Sequence, residues 1–156
     1  TNSSKQTMKL LINKNIMNPY RHKTPIQIRF KDVDRLGHVN NANHITYFEL
    51  ARVDYFNTLM GDVRIDWENE SLILAKIEMD YKQPILLDDR IAVYTWISRL
   101  GSKSFDMSCS IIKEEKGGAE IEMAKGLAII VCFNYKLNQT IPIPEAWKEK
   151  MMTPHL

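Results

Sequence analysis

Apolar and polar residues alternate along residues 26–33, Ile-Gln-Ile-Arg-Phe-Lys-Asp-Val, the period of a half-buried strand. Two acids, Asp32 and Asp34, stand where the alternation ends, and Gly37 marks a turn. From Ala42 to Met60 the apolar positions are Ile45, Tyr47, Phe48, Leu50, Ala51, Val53, Tyr55, Phe56 and Leu59. They occupy more than one face, which predicts a helix covered on most sides. Asn40 or Asn41 suits its N-cap and Gly61 its C-cap. About 18 helical residues would reach ~27 Å. Beyond residue 70 the pattern predicts strands over Ser71–Tyr81, Arg90–Arg99, Ser104–Lys113 and Glu120–Phe133. The third alternates strictly, with Phe105, Met107, Cys109 and Ile111 on one face and Ser104, Asp106, Ser108 and Ser110 on the other. Gly101-Ser102-Lys103 and Lys116-Gly117-Gly118 are turn signals, and Gly126 suggests a bulge. Pro142 to Trp147 reads as an extended lead into a short helix with Pro144 near its start. The order is one strand, a long helix, then four strands in a meander. This predicts an α+β domain in which a five-stranded antiparallel sheet curls around one long central helix. The sheet covers one flank of that helix, so a second subunit is expected on the other.

At 156 residues the chain has room for one domain with a substantial core. Its net charge of +2 argues against nucleic acid as the main partner. The charge is uneven, because residues 1–24 carry Lys5, Lys9, Lys14, Arg21 and Lys23 and no acid. Residues 1–23 are therefore expected to be a basic leader, residues 24–150 the folded domain and residues 151–156 a tail. The leader reads as a solvated tail or an extension appended to the native chain, with Met8 and Met17 as alternative native starts. A basic leader can also touch a membrane surface or an anionic ligand. No run approaches the ~20 apolar residues of a membrane span, and Leu10-Leu11-Ile12 is too short for a signal-peptide core. Cys109 and Cys132 sit in apolar strand patterns, so reduced, buried thiols and a cytoplasmic location are expected.

The chemistry concentrates in residues 32–49. Asp34, His38, Asn40, Asn41 and a helix N-terminus fall within ten residues. A carboxylate can attack a carbonyl or activate water, and an imidazole can move a proton near neutral pH. Backbone N–H groups at Asn41 and Ala42 can hold charge that develops on the carbonyl oxygen. The same dipole favours the charged form of Asp34. Each residue also has a structural reading: Asp34 can cap the turn, His38 can fix it, and Asn40 can cap the helix. Asp32 alternates to the opposite face and is read as structural. Glu49 can pair with Arg52 three residues on. His38 and His44 have poor spacing for a metal and no Cys partners, so no metal site is expected. No Gly-x-Ser-x-Gly elbow or Walker loop is present.

The run Asp32-Val-Asp34, Gly37-His-Val39-Asn-Asn41-Ala42, Tyr47, Glu49 and Ala51-Arg52 resembles hotdog-fold acyl-CoA thioesterases of the 4-hydroxybenzoyl-CoA thioesterase type. Asp80-Tyr81 with Pro84, Gly101 with Ser104-Phe105, and Pro142-Ile-Pro144 follow in the matching order. The resemblance implies a hotdog fold and hydrolysis of an acyl-CoA thioester to a carboxylic acid and free coenzyme A. It places the catalytic carboxylate at Asp34 and the oxyanion donor at the Asn41 amide, with His38 and Asn40 assisting. Substrate contacts are expected from Gly37, Val39, Tyr47, Glu49, Lys82, Arg99 and Lys103, with Tyr47 and Phe48 lining the acyl pocket. No cofactor is implied, since coenzyme A is part of the substrate. The site should form at a subunit interface of a homodimer or homotetramer. Plant acyl-carrier-protein thioesterases resemble the same stretch but carry Asn where this chain has Leu36. His44 stands where relatives usually have Tyr. The alternatives are a carrier-protein thioesterase, a hydratase, whose relatives carry a different motif, and a non-catalytic acyl-CoA-binding protein.

Overall fold

The computed structural model describes residues 20–153. Lys5, Lys9 and Lys14 of the leader, and the last three residues of the tail, lie outside them. Strand β1 is His22–Ile26, upstream of the alternation at 26–33. Over that stretch the chain instead turns through a 3-10 segment, Phe30–Asp32. The cause is Asp32, whose carboxylate accepts the Arg29 N–H at 3.0 Å and closes the turn. Phe30 consequently points outward and is 86% exposed. Arg21 and Lys23, expected in the leader, are anchored to the sheet. The Arg21 guanidinium lies 4.0 Å from the Trp96 ring centroid, and Lys23 pairs with Glu114 at 2.7 Å.

Helix α1 is Asn41–Met60. Its N-cap is Asn40, whose side chain accepts the Ala42 N–H at 2.9 Å. It stops at Gly61, which adopts a φ of 56° and donates its N–H to Asn57 O at 3.0 Å. The long strands follow as β2 (Ser71–Tyr81), β3 (Ile91–Leu100), β4 (Ser104–Glu114) and β5 (Glu120–Asn134), then a two-residue β6 (Gln139–Thr140) and helix α2 (Glu145–Met152). The sheet is antiparallel in the order β1-β3-β4-β5-β2, with β6 beside β5. Only β3, β4 and β5 form a meander. β2 pairs with β5 at the far edge because α1 carries the chain across the sheet before β2 begins. Gly126 is no bulge. It pairs in register with Met79 and Cys109, and a Cβ there would lie 2.8 Å from Cys109 Sγ and 3.0 Å from the Met79 methyl. Glycine here permits close packing.

α1 buries the stripe Tyr47, Phe48, Ala51, Tyr55, Phe56 and Leu59 at helical spacing. It meets Phe105, Met107, Cys109 and Ile111 of β4, the face expected from their alternation. Each such aromatic or aliphatic side chain contributes about 1.5–3 kcal/mol by leaving water. Trp147 of α2 closes one end, edge-on to Phe56 at 5.4 Å. Leu50 and Val53 remain 53% and 54% exposed, so the protomer covers one side of the helix only. Both cysteines are free and buried. Among the described residues no helix is long and apolar enough to cross a membrane.

Candidate active site

Between the 3-10 turn and α1 the chain makes a small hairpin, with Val33 bridged to Val39. Asp34 N–H donates to His38 O at 2.8 Å and Gly37 N–H to Asp34 O at 3.0 Å. Gly37, at φ 81°, takes the left-handed place that such a three-residue loop demands. Asp34 also fixes the loop with its side chain: Oδ1 accepts the Leu36 N–H at 2.8 Å and the His38 N–H at 3.4 Å. Its other oxygen has no hydrogen-bond partner among the described residues. Asp34 is therefore held by one oxygen and free at the other.

Asp32 is turned inward and is 1% exposed. Its backbone carbonyl accepts from Asn40 N–H and the Asn43 side chain, both at 2.9 Å. Its carboxylate accepts the Tyr47 hydroxyl at 2.8 Å and the Arg29 guanidinium at 3.3 Å. Burial opposes its ionisation, but these bonds and the Arg29 N–H outweigh burial and hold the carboxyl below the usual range. Asp32 thus ties the loop that carries Asp34 to the first turns of α1.

Asp34, His38, Asn40 and Asn41 converge on one cleft of about 430 Å³, walled also by His44 and Tyr81. The Ala42 N–H, expected to face a developing oxyanion, is taken by the Asn40 side chain. The Asn41 N–H has no acceptor among the described residues and stays available at the helix N-terminus. The sequence reading missed Tyr81 as a site residue. Its hydroxyl donates to Asn41 O at 3.0 Å, and its ring meets His44 edge-on at 5.0 Å. A contact forty residues apart leaves no local signal; the strand end before Pro84 was the only hint. Burial pushes the His44 imidazole below its usual value, opposed by its bond to Asn40 O.

The family model of the thioesterase-like superfamily matches residues 28–151. The chain belongs to this superfamily. Long-chain acyl-CoA thioesterase FadM of Escherichia coli K12 is 26% identical over 128 residues, which are 82% of this chain and 95% of FadM. A thioesterase of Thermus thermophilus, solved in complex with coenzyme A and Zn, is 34% identical with a TM-score of 0.68, covering 83% of this chain and 95% of that one. A 4-hydroxybenzoyl-CoA thioesterase, solved with 4-hydroxybenzoyl-CoA, shares the fold at a TM-score of 0.74 and 18% identity, covering 84% of this chain and 98% of its own. The sheet wrapped on one long helix is the hotdog fold.

Within this thioesterase-like chain the other expected substrate contacts scatter. Val39 and Lys82 reach the cleft, and Lys82 pairs there with Glu122. Gly37 shapes the turn and is not in the cleft wall. Tyr47 lies fully buried beneath the site with its hydroxyl on Asp32. Glu49 is exposed further along α1, beside Arg52. Arg99, bound to Asp106 and Ser104 at 2.8 Å, and the exposed Lys103 sit at the opposite end of β3, roughly 26 Å away along the strand. One protomer does not bring them to Asp34. Among the described residues no three His, Cys, Asp or Glu side chains cluster as a metal site requires.

Proposed function

We propose that this protein hydrolyses an acyl-CoA thioester to a carboxylic acid and free coenzyme A, with Asp34 as the reacting carboxylate. The observation that carries the reading is the pairing, in one cleft, of an Asp34 carboxylate tied by one oxygen only with an unbonded Asn41 N–H. The thioester carbonyl oxygen would rest on the Asn41 N–H, where the helix dipole adds to the hydrogen bond as negative charge builds. Two routes fit. In one, the free Asp34 oxygen attacks the carbonyl carbon, the C–S bond breaks, and water then opens the mixed anhydride. In the other, Asp34 takes a proton from the water that attacks directly. In both the thiolate leaves and is protonated, a step open to His38. Asn40 acts by capping the helix and aiming its N-terminus. No cofactor is needed in either route.

The assembly belongs to this reading. α1 is half uncovered, and Arg99 and Lys103 would meet the coenzyme A phosphates only from another copy, as a homodimer or homotetramer allows. Lys82 is the single lysine or arginine in the cleft wall, and Glu122 already engages it. The similarity to proteins named acyl-CoA thioesterases, one solved with coenzyme A, supports the coenzyme A thioester over a carrier-protein one. Two buried, unpaired thiols suit the reducing cytoplasm.

The test is release of free thiol from short, long and aromatic acyl-CoA thioesters. Asp34→Asn should lose several orders of magnitude in turnover with an unchanged unfolding midpoint. His38→Ala should lose less. Near-wild-type turnover by Asp34→Asn would sink the mechanism. Binding without turnover by the wild type would leave an acyl-CoA-binding protein.

A further inference from the structure

His44 sits in the first turn of α1 and is 2% exposed, yet no step of the hydrolysis uses it. Its Nδ1 lies 3.2 Å from Asn40 O. A carbonyl oxygen only accepts, so Nδ1 carries the proton and donates it, and Nε2 is left with a lone pair. Burial pushes the imidazole below its usual value, which keeps it neutral at pH 7 and the lone pair free. Nε2 has no hydrogen-bond partner among the described residues. It is not sealed either: Arg52 Nη1 and Thr95 Oγ1 are the buried side-chain atoms closed off without a partner there. The sliver of His44 that meets solvent opens on the cleft it shares with Asp34, His38 and Asn41. One ring nitrogen is thus bound, and the other is an acceptor facing the reaction.

The ring is held in this pose. Its bond to the N-cap carbonyl, four residues back, lays it over the first helical turn. The Tyr81 ring stands against it edge-on, with centroids 5.0 Å apart and planes at 82°. Tyr81 is fixed in turn by its hydroxyl, which donates to Asn41 O at 3.0 Å. Nε2 therefore lies beside the helix N-terminus, where the Asn41 N–H would receive the thioester oxygen. It cannot hold that oxygen, which is an acceptor like itself. Nor can it protonate the leaving thiolate, because it has no proton to give. What it can hold is a donor. Asp34 presents a second acceptor to the same cleft, the oxygen left free by its loop. A water molecule has two protons and can bridge two acceptors. A carboxylate alone fixes one O–H bond and leaves the molecule free to swing about it.

We propose that His44 is a further catalytic residue, whose Nε2 accepts one O–H of the hydrolytic water while Asp34 accepts the other. The inference rests on the proposed thioester hydrolysis and adds the group that orients its water. In the direct route the water oxygen bonds the acyl carbon, and the C–S electron pair goes to sulfur. One water proton goes by way of Asp34 to the thiolate, with His38 open to relay it. The other stays on the new hydroxyl, against Nε2. In the anhydride route the water held by Nε2 bonds the same acyl carbon and the C–O bond to Asp34 breaks. The electron pair of that bond and one water proton then return to the Asp34 carboxyl.

The experiment pairs His44→Asn with His44→Gln in the intact protein. Thiol release from acyl-CoA thioesters is read as kcat and KM, beside the thermal midpoint. The amide nitrogen of asparagine matches Nδ1, so it keeps the bond to Asn40 O and offers nothing where Nε2 was. The amide of glutamine reaches the place of Nε2, so its oxygen can accept the water while the bond to Asn40 O is lost. His44→Asn should lower kcat roughly a hundredfold, the scale for misplacing a reacting group, with KM within about threefold. His44→Gln should keep kcat within roughly tenfold of wild type and well above that of His44→Asn, even if its midpoint falls. A merely structural role predicts the reverse order, since only asparagine keeps the structural bond. Should His44→Asn fail to fold, His44→Leu replaces it: like glutamine it lacks the Asn40 bond, and it differs in having no acceptor, so its kcat should fall well below that of His44→Gln. Equal kcat in wild type and His44→Asn overturns the proposal, as does a His44→Gln no faster than the variant without an acceptor. A rise in KM at constant kcat also overturns it, by assigning Nε2 to an N–H of the substrate. Each of these results leaves the hydrolysis and the role of Asp34 standing, whereas a wild type that releases no thiol removes the hydrolysis and this inference with it.

Discussion

Asp32 and Asp34 carry the same functional group two residues apart and have opposite fates. Every oxygen of Asp32 is engaged, and it is sealed under the loop. Asp34 keeps one oxygen unbonded in the cleft. Alternation did not justify parting them, because residues two apart share a face of an extended strand; the turn is what separates them. Asp32 is drawn inward by its bonds to Tyr47 and Arg29, not by a strand. The folded-state pKa of Asp32 lies below its ordinary 3.8. Its stabilising contribution is therefore complete above about pH 4 and drains as acid protonates it at lower pH. Tyr47→Phe removes one bond to this charged carboxylate and should cost about 1.5–3 kcal/mol at pH 7. Urea unfolding at pH 7 and pH 3 checks this: the gap to wild type should narrow in acid. A gap unchanged with pH would mean that the hydroxyl acts without the charge. What the residue-scale reading could not supply was Tyr81, His44 as its ring partner, and the loss of the Ala42 N–H to Asn40. Each depends on where a side chain comes to rest.

At the scale of elements, the start of α1 both stabilises and orients. The Asn40 cap satisfies the Ala42 N–H and leaves that of Asn41 open. Asn40→Ala should cost about 1 kcal/mol and Asn40→Asp should restore it, as thermal unfolding of the pair would show. The alanine variant should also lose turnover more than it loses substrate affinity, because the frayed turn no longer aims its N–H group. Periodicity marked out the helix and the four later strands, because each buries one face and so carries its own period. It did not order them. β2 lies at the far edge because the helix crosses the sheet first, and no residue in β2 encodes that crossing. The alternation at 26–33 misled for a related reason: three apolar residues kept the right spacing while a side-chain hydrogen bond chose the backbone. Gly126 misled differently. A bulge and a close approach both call for glycine, and only the neighbours Cys109 and Met79 distinguish them.

On the scale of the molecule, the two ends of the sheet hold different parts of the proposed site. The carboxylate and helix N-terminus lie at one end, and Arg99 with Lys103 at the other. A second property of the whole fold concerns its two sulfur atoms. Burial pushes the thiols of Cys109 and Cys132 up to about 12, so neither ionises nor meets solvent while the sheet and helix stay packed. Only a thiolate attacks a disulfide reagent readily. A chromogenic disulfide added to the native protein should thus give no colour of its own, and all absorbance in a thioester assay would report liberated coenzyme A. In rising urea the same reagent should titrate two sulfhydryls per chain over the same range in which the fold is lost. The protein would then serve as its own blank in one measurement and as its own unfolding probe in the other.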